Sequence, residues 1–208
     1  MNVEEAIRHR RSVREFTPDP VSAVDIREML TLATMGPNVA NRQMWRFIVL
    51  TDGDLRRMLA ELVRRRVDEM ADWPELSGQQ QRVQGWRDQI KPFLAAPVVI
   101  FCINQGYRTA LDVALVERGM KHWEVANMFE YPDVQSISAT IAFFILAAEE
   151  RGYGTCWITS PLLAKKDLQQ ALELKPGEEL VAMVGIGRPA ETPLPKARKK
   201  IDEIIEWR

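Results

Sequence analysis

The segment Gly36-Pro37-Asn38-Val39-Ala40-Asn41-Arg42-Gln43 interrupts a helix and leads directly into the apolar run Phe47-Ile48-Val49-Leu50. The Gly-Pro pair stops a helix, because proline has no N–H and restricts the residue before it. Short apolar runs bounded by such signals are typical of strands. The sequence therefore predicts a helix, a polar loop and then a first strand from Trp45 to Thr51.

The same two patterns alternate along the rest of the chain. Apolar runs of strand length predict three further strands at 97–103, 155–158 and 180–186. Capping residues and helical spacing of apolar residues predict helices at about 2–9, 22–35, 54–70 and 133–151, another one ending before Pro97, and a short one near Leu168. This alternation predicts an α+β sandwich built on one sheet, and 208 residues are expected to form one domain over 1–208.

Two segments stand out from this alternation. The helix from Asp133 to Arg151 is apolar on nearly every side and must be covered all round, for which a subunit interface is the natural solution in a chain of this size. Residues 104–132 are predicted to be irregular. They carry aromatic residues among charges and form a candidate lid or substrate-facing excursion. The aromatic residues are Tyr107, Trp123, Phe129 and Tyr131.

Composition excludes several classes of protein. The net charge is −1, from 28 basic and 29 acidic residues, which argues against a dedicated nucleic-acid surface. Cys102 and Cys156 each lie inside an apolar run, so we expect buried, inert thiols and a reducing compartment. No secretory signal is recognisable at the start and the run from Ile141 to Ala148 is too short to span a bilayer, so we expect a cytoplasmic protein.

Two cationic clusters lie far apart in the sequence, at Arg10-Arg11-Ser12-Val13-Arg14 and at Lys196-Ala197-Arg198-Lys199-Lys200. If they converge in this near-neutral chain, they require an anion. In an extended segment Arg10, Ser12 and Arg14 point the same way, and guanidinium groups match a phosphate monoester bidentately. A solvated charge run at a helix end and a solvated tail remain the alternatives.

Polar residues near two strand ends could complete such a site. Asn41 and Gln43 carry amides that both donate and accept, which suits the edge of a ring with mixed C=O and N–H groups. Thr159-Ser160-Pro161 directly follows a strand, where backbone N–H groups and small hydroxyls face a ligand crevice. The alternatives are helix capping by Asn38 or Asn41, and a Ser160 that only caps a short helix.

Other chemistries lack their residues. The only histidines are His9 and His122, with no cysteine near either, so zinc and iron sites lack ligands. Nucleophile-elbow, Walker A and dinucleotide fingerprints do not occur. Because no side chain is suited to carry out the main chemical step, the sequence indicates a bound cofactor. We infer that the anion is the phosphate of a flavin.

Four collinear segments resemble the nitroreductase family of flavin enzymes. Arg10 to Phe16 is similar to its R-R-S-x-R-x-F motif, and Pro37 to Phe47 to its P-S-x-x-N-x-Q-P-W-x-F segment. Glu149 to Ile158 resembles its glycine-rich helix-to-strand passage, and Pro195 to Asp202 its closing P-x-x-R-K-x-x-D. Two departures are Asn38-Val39 in place of a small pair, and Met44 where proline is common.

The resemblance implies a mostly antiparallel sheet flanked by helices, in an intertwined homodimer with FMN bound noncovalently at the subunit interface. The cationic N-terminal motif would hold the phosphate, ribityl chain and pyrimidine edge, the tail in 189–208 would close on the phosphate, and the loop before the first strand would come from the partner subunit. Thr159 and Ser160 would lie along the flavin near N5. The cofactor-binding residues expected are Arg10, Arg11, Ser12, Arg14, Pro37, Asn38, Val39, Asn41, Gln43, Thr159, Ser160, Lys196 and Arg198.

The expected function is an FMN-dependent oxidoreductase that passes hydride in two half-reactions from NAD(P)H to flavin and then to a nitroaromatic, quinone or activated alkene. Trp123, Phe129 and Tyr131 would stack on a planar substrate. Reductive dehalogenation or flavin fragmentation on the same scaffold, and a noncatalytic flavin-binding module, remain open. An RNA-binding domain is disfavoured by the charge balance.

Overall fold

The computed structural model describes residues 1–106 and 108–208, so Tyr107 lies outside the described residues. Its centre is one four-stranded sheet in the order β1-β2-β4-β3, and every pairing between these strands is antiparallel. The strands are β1 Trp45–Leu50, β2 Val98–Asn104, β3 Gly154–Ile158 and β4 Glu179–Gly187. All four predicted strands are present, and the expected α+β class with a mostly antiparallel sheet is confirmed.

Helices cover both faces of the sheet. They are α1 Val3–His9, α2 Ala23–Ala33, α3 Gly53–Ala71, α4 Gln80–Asp88, α5 Lys91–Ala95, α6 Ala110–Glu117, α7 His122–Met128, α8 Pro132–Glu150 and α9 Lys165–Ala171. The predicted start of α1 is confirmed by reciprocal bonds: Glu5 N donates to Asn2 Oδ1 at 2.9 Å and Asn2 N donates to Glu5 Oε2 at 2.9 Å.

The hydrophobic core has two layers separated by the sheet. One layer joins α2 and α8 to the sheet, and the other joins α3, α4, α5 and α9 to its opposite face. Each residue of β2 is buried, as its unbroken apolar run predicted for a strand covered on both faces. Cys102 and Cys156 are free and buried within these layers.

The prediction that residues 104–132 are irregular was wrong, because α6 and α7 lie inside this range. Helix α6 starts at a capping box, in which Asp112 N donates to Thr109 Oγ1 at 3.1 Å and Thr109 N donates to Asp112 Oδ2 at 2.5 Å. At the start of α7, Lys121 N donates to Glu124 Oε2 at 2.6 Å. These local bonds satisfy the N–H groups that a helix start leaves free.

Helix α8 confirms the prediction of a long apolar helix. Ile137, Ile141, Phe144 and Ala148 are buried against the sheet, but Phe143 remains 41% exposed. Part of its apolar surface is therefore not covered within one chain. Among the described residues no single helix is long and apolar enough to cross a membrane, and only the bent pair of α7 and α8 reaches that length and composition together.

Candidate functional site

Strand register brings two of the candidate segments to the same end of the sheet. Trp45 at the start of β1 pairs with Asn104 at the end of β2, and Asn104 pairs with Glu179 at the start of β4. Strand β3 runs towards this end, where Thr159 follows Ile158. The loop before β1 and the turn after β3 thus emerge together, although the two edge strands are separated by about 14 Å at the usual strand spacing.

The N-terminal arm lies along the outer edge of β3. Ser12 forms an isolated parallel bridge with Thr155, and Val13 N donates to Thr155 O at 2.9 Å. The buried Val13 side chain packs on Gly154, where an added Cβ would come within 2.6 Å of Val13 Cγ2. Glycine at this position therefore lets the arm approach the strand closely enough to extend the sheet.

This pairing separates the side chains of the arm onto two sides. Arg14 lines a cavity of about 390 Å³ together with Trp157, Thr159 and Ser160. Arg11 lines a different and smaller cavity beside Glu149. The Arg11 guanidinium donates to the carbonyls at the end of α1, including Arg8 O at 2.6 Å, so the structure does not bring Arg11 to the cavity of Arg14.

The opposite wall of the Arg14 cavity comes from the α4–α5 junction, which sequence analysis did not single out. Asp88, Gln89 and Pro92 line it. Asp88 accepts hydrogen bonds from Lys91 and Gln84, which lower the pKa of its carboxyl group. The Asp88-to-Lys91 spacing at a helix end was the only sequence signal, and it does not distinguish a site from a surface ion pair.

Ser160 does not use its hydroxyl as a helix cap. It is the first residue of the 3₁₀ helix Ser160–Ala164, and its Oγ donates to Gln89 O at 3.4 Å. This bond joins the turn after β3 to the α4–α5 junction, and both segments line the cavity. Thr159, the N-cap residue of this short helix, makes no capping hydrogen bond through its side chain.

Internal hydrogen bonds hold the loop before β1 in an unfavourable backbone conformation. Ala40, Asn41 and Gln43 have φ of 49°, 52° and 48°, the left-handed region that L-residues avoid. Asn38 Oδ1 accepts from Gln43 N at 3.0 Å, so Asn38 closes the loop instead of capping the short helix Val39–Asn41. Backbone strain of this kind clusters at functional sites.

The remaining candidate residues lie away from the Arg14 cavity in a single chain. Lys196 and Arg198 are exposed in the extended segment after Ala190, and Trp123, Phe129 and Tyr131 are exposed on and after α7. The other expected cofactor-binding residues do not line the cavity either: Arg10, Ser12, Pro37, Asn38, Val39, Asn41 and Gln43. The structure therefore joins Arg14, Thr159 and Ser160 within one chain and leaves the other candidates at its surface or in separate segments.

Cys156 also lines this cavity but has an unreactive thiol. Burial raises the pKa of Cys156, and the nearby Arg14 charge opposes that rise only in part. Burial raises the pKa of Cys102 to about 12. Since the thiolate is the nucleophilic form, neither cysteine is suited to covalent chemistry.

Comparison with known proteins now defines the class of the protein. Residues 7–188 match the Nitroreductase family, and the chain belongs to that family. It is similar to the structure of a BluB-like flavoprotein from Clostridium difficile 630, with 28% identity, a TM-score of 0.84, and coverage of 100% of this chain and 99% of that one.

Two further proteins are similar to this chain. Iodotyrosine deiodinase of Hydra vulgaris is 26% identical over 94% of this chain and 69% of its own length. The FMN and NADPH-dependent nitroreductase NfnB from Sphigopyxis sp. strain HMH has a TM-score of 0.74 with coverage of 100% and 99%, but at 18% identity this likeness shows the fold alone. Family membership confirms the resemblance seen in the sequence.

Proposed function

We propose that this protein is an FMN-dependent oxidoreductase that transfers hydride from NAD(P)H to an electron-poor acceptor, such as a nitroaromatic, a quinone or an activated alkene. The observation that carries the proposal is the cavity of about 390 Å³ in which Arg14, Thr159 and Ser160 meet. Arg14 belongs to the Arg10-to-Phe16 motif, and Thr159 and Ser160 directly follow the Glu149-to-Ile158 segment; both segments resemble the nitroreductase family. Two free cysteines, both buried, also fit a cytoplasmic location.

The donor groups of this site fit a flavin phosphate and ring. We assign Arg10, Ser12 and Arg14 to the flavin as guanidinium and hydroxyl donors from a segment that pairs with β3. In a single chain only Arg14 of the three lines the cavity, and Arg10 lies near Glu149. Trp157 and Pro92 contribute apolar wall, and Thr159 and Ser160 line the same cavity. We assign their backbone N–H groups to the flavin ring. When bound, FMN supplies a ring that accepts hydride from NAD(P)H and passes it on, while these residues hold and orient it.

We assign the other residues to the same site through a homodimer. In this assignment Pro37, Asn38, Val39, Asn41 and Gln43 come from the partner subunit, Lys196 and Arg198 close on the phosphate, and Arg11 supports the arm by capping α1. The loop residues do not line the Arg14 cavity of their own chain. This agrees with the assignment of the loop to the cavity of the partner subunit.

Exposed apolar surface supports the dimer. A groove of about 480 Å³ is lined by residues of α1, of α2 and the turn after it, and of α8: Ile7, Leu32, Met35, Phe143 and Leu146. The tail ends in exposed apolar residues, with Trp207 89% exposed. Contiguous exposed apolar surface is typical of an interaction site. A second copy would cover the uncovered side of α8.

Acceptor binding is assigned to the aromatic residues on and after α7. Trp123, Phe129 and Tyr131 are exposed, and planar electron-poor rings stack on such side chains. We expect these residues to contribute to the acceptor side of the flavin.

The proposal is tested by removing two cations that it places on the phosphate. The double variant Arg10→Ala with Arg198→Ala should weaken FMN binding by roughly 100-fold or more, because each charge-assisted hydrogen bond contributes about 1.5–3 kcal/mol. The matched control is Arg57→Ala with Arg65→Ala, two exposed arginines on α3. Flavin fluorescence titration measures the binding. Full FMN occupancy in the first double variant would contradict the phosphate assignment.

The absorption spectrum of the purified protein tests the class directly. A flavin spectrum that bleaches on anaerobic addition of NADH or NADPH is the expected result. A yellow protein that neither donor bleaches would instead be a noncatalytic flavin-binding module.

Similarity to iodotyrosine deiodinase favours reductive dehalogenation as the second candidate. Product analysis with a halogenated tyrosine and with a nitroaromatic separates the two reactions. Halide release without nitro reduction would favour the second candidate.

A further inference from the structure

One buried side chain touches both ends of the segment that carries the α6–α7 hairpin (110–128). Asn104, the last residue of β2, is 7% exposed. Its Oδ1 accepts from Gly106 N at 3.0 Å, on the segment that enters the hairpin. Its Nδ2 donates to Asp133 Oδ2 at 2.6 Å, at the start of α8 and directly after the hairpin. The two ends of the excursion are therefore tied to one amide group.

The backbone around these contacts is restricted. Gly106 has a φ of 89°, and Glu130 and Tyr131 have φ of 54° and 53°. Residues with a left-handed backbone therefore lie at both ends of the excursion, where the chain turns sharply. A change in the orientation of the hairpin would have to take place in the backbone of these few residues. A hinge is typically made of a few such residues at element ends.

The hairpin itself has little attachment to the rest of the molecule. Among its described residues only Asp112 and Val125 are buried, and α6 packs chiefly on α7. Leu111, Val113 and Trp123 are exposed. Two helices that pack mainly on each other move as a unit, and the position of the unit is set by its base.

The same turn of α8 also holds the loop that precedes β1. Ser136, three residues after Asp133, accepts from Val39 N at 3.1 Å and donates to Pro132 O at 2.6 Å. The contact of Asn104 with Asp133 therefore sets the hairpin and the loop at 37–44 relative to each other. Both adjoin the end of the sheet from which the turn after β3 also emerges.

We propose that Asn104 is a positioning residue: by bonding to Gly106 and Asp133 it holds the α6–α7 hairpin in one orientation and thereby places Trp123 for acceptor binding. The acceptor half of this inference rests on the proposed function, whereas the hairpin half stands on the contacts of Asn104 alone.

The test exchanges the donor and the acceptor of the Asn104–Asp133 bond. Asn104→Asp keeps an oxygen for Gly106 N but sets a carboxylate against Asp133. Asn104→Asp combined with Asp133→Asn restores one amide and one carboxylate in reversed order. Asn127→Asp adds the same charge on exposed α7 and is the matched control. If Asn104→Asp does not fold, Asp133→Ala removes the same hydrogen bond by changing its more exposed partner.

Backbone hydrogen exchange gives the first readout and needs no bound flavin. In Asn104→Asp we expect the exchange protection of residues 110–128 to fall by roughly tenfold, because a charge-assisted hydrogen bond is lost. The protection of β2 should not change. The exchanged double variant should regain the protection, and Asn127→Asp should keep it. Unchanged protection in Asn104→Asp, or an equal loss across β2, would overturn the role of Asn104.

Steady-state kinetics with NADH and menadione give the second readout. We expect the KM for menadione to rise several-fold in Asn104→Asp while kcat changes less than twofold, and the double variant to restore KM. A role confined to stability would lower the flavin content and leave KM unchanged. Loss of hairpin protection with an unchanged KM would overturn the acceptor half. Absence of FMN from the wild-type protein would instead defeat the proposed function, and the exchange result would still decide the role of Asn104.

Discussion

At the scale of single residues, Ala40 shows where the chain accepts a conformational cost. Its φ of 49° and ψ of 29° lie in the left-handed region, which costs an L-residue about 1–2 kcal/mol. Ala40→Gly should therefore raise the free energy of unfolding by up to about 1 kcal/mol, part of the gain being offset by the greater freedom of glycine in the unfolded chain. Urea denaturation measures the change.

The control for this prediction has the opposite sign. Ala114 is exposed in the middle of α6, and Ala114→Gly should destabilise the protein by about 1 kcal/mol, the helix propensity difference. If both variants shifted the unfolding midpoint in the same direction, backbone strain at Ala40 would not be the cause.

Glu178 makes the second prediction at this scale. Hydrogen bonds from Arg46 Nε at 2.8 Å and Nη2 at 2.6 Å hold the pKa of this buried carboxyl group at about 2, below its usual 4.5. A depressed pKa contributes stability above pH 4.5 that is lost as the pH falls towards 2. Glu178→Gln should cost about 1–3 kcal/mol at pH 7, and the difference from wild type should shrink below pH 4.5.

Denaturation curves at pH 7 and pH 3 measure that difference. Glu61→Gln, which breaks exposed ion pairs with Arg64 and Arg65 on α3, is the control and should change stability by less than about 1 kcal/mol. A Glu178→Gln penalty that is the same at both pH values would show that the ion pair is not its source.

At the scale of elements, the sequence predicts the strands and helices that have a regular apolar pattern, and it misses the short helices that depend on local capping. The strands and α8 were predictable because continuous apolar runs must be buried. Helices α6 and α7 were missed because exposed Leu111, Val113 and Val116 give no single apolar face to recognise. The spacing of Thr109 and Asp112 was the available signal, since Thr followed three residues later by an acid is typical of a helix start.

Helix α6 consequently depends on its cap more than on its packing. Thr109→Ala should cost about 1 kcal/mol locally and speed hydrogen exchange within 110–117, leaving β2 protected. The control is Thr31→Ala, which removes an exposed hydroxyl that bonds Arg27 O inside α2 and should leave exchange in α6 unaltered. Exchange that accelerates equally in α8 would show that the cap stabilises more than this helix.

At the scale of the whole molecule, the candidate site shows what the sequence cannot supply. The sequence located Arg14 through the cationic Arg10-to-Phe16 motif, and Thr159 and Ser160 because they directly follow a predicted strand. The sequence did not locate Asp88 or Gln89, because the α4–α5 junction reaches Ser160 across 71 residues of chain through a tertiary contact. Only the packing of α4 and α5 on the sheet brings the two walls of the cavity together.

The uncovered side of α8 makes the prediction for the assembly. Phe143 is exposed in an apolar groove with Leu32 and Met35, and a carboxylate placed there would have to be buried without a partner in the proposed homodimer. Phe143→Glu should therefore shift the protein to a monomer, and FMN occupancy should fall with it, since the partner's loop completes the proposed site. Sedimentation velocity and the flavin-to-protein absorbance ratio measure both effects.

The control is Met58→Glu, at an exposed position of α3 on the opposite face of the sheet, which should leave the oligomeric state and the FMN occupancy unchanged. A Phe143→Glu protein that stays dimeric would move the interface elsewhere, whereas a monomer with full FMN occupancy would place the whole site within one chain.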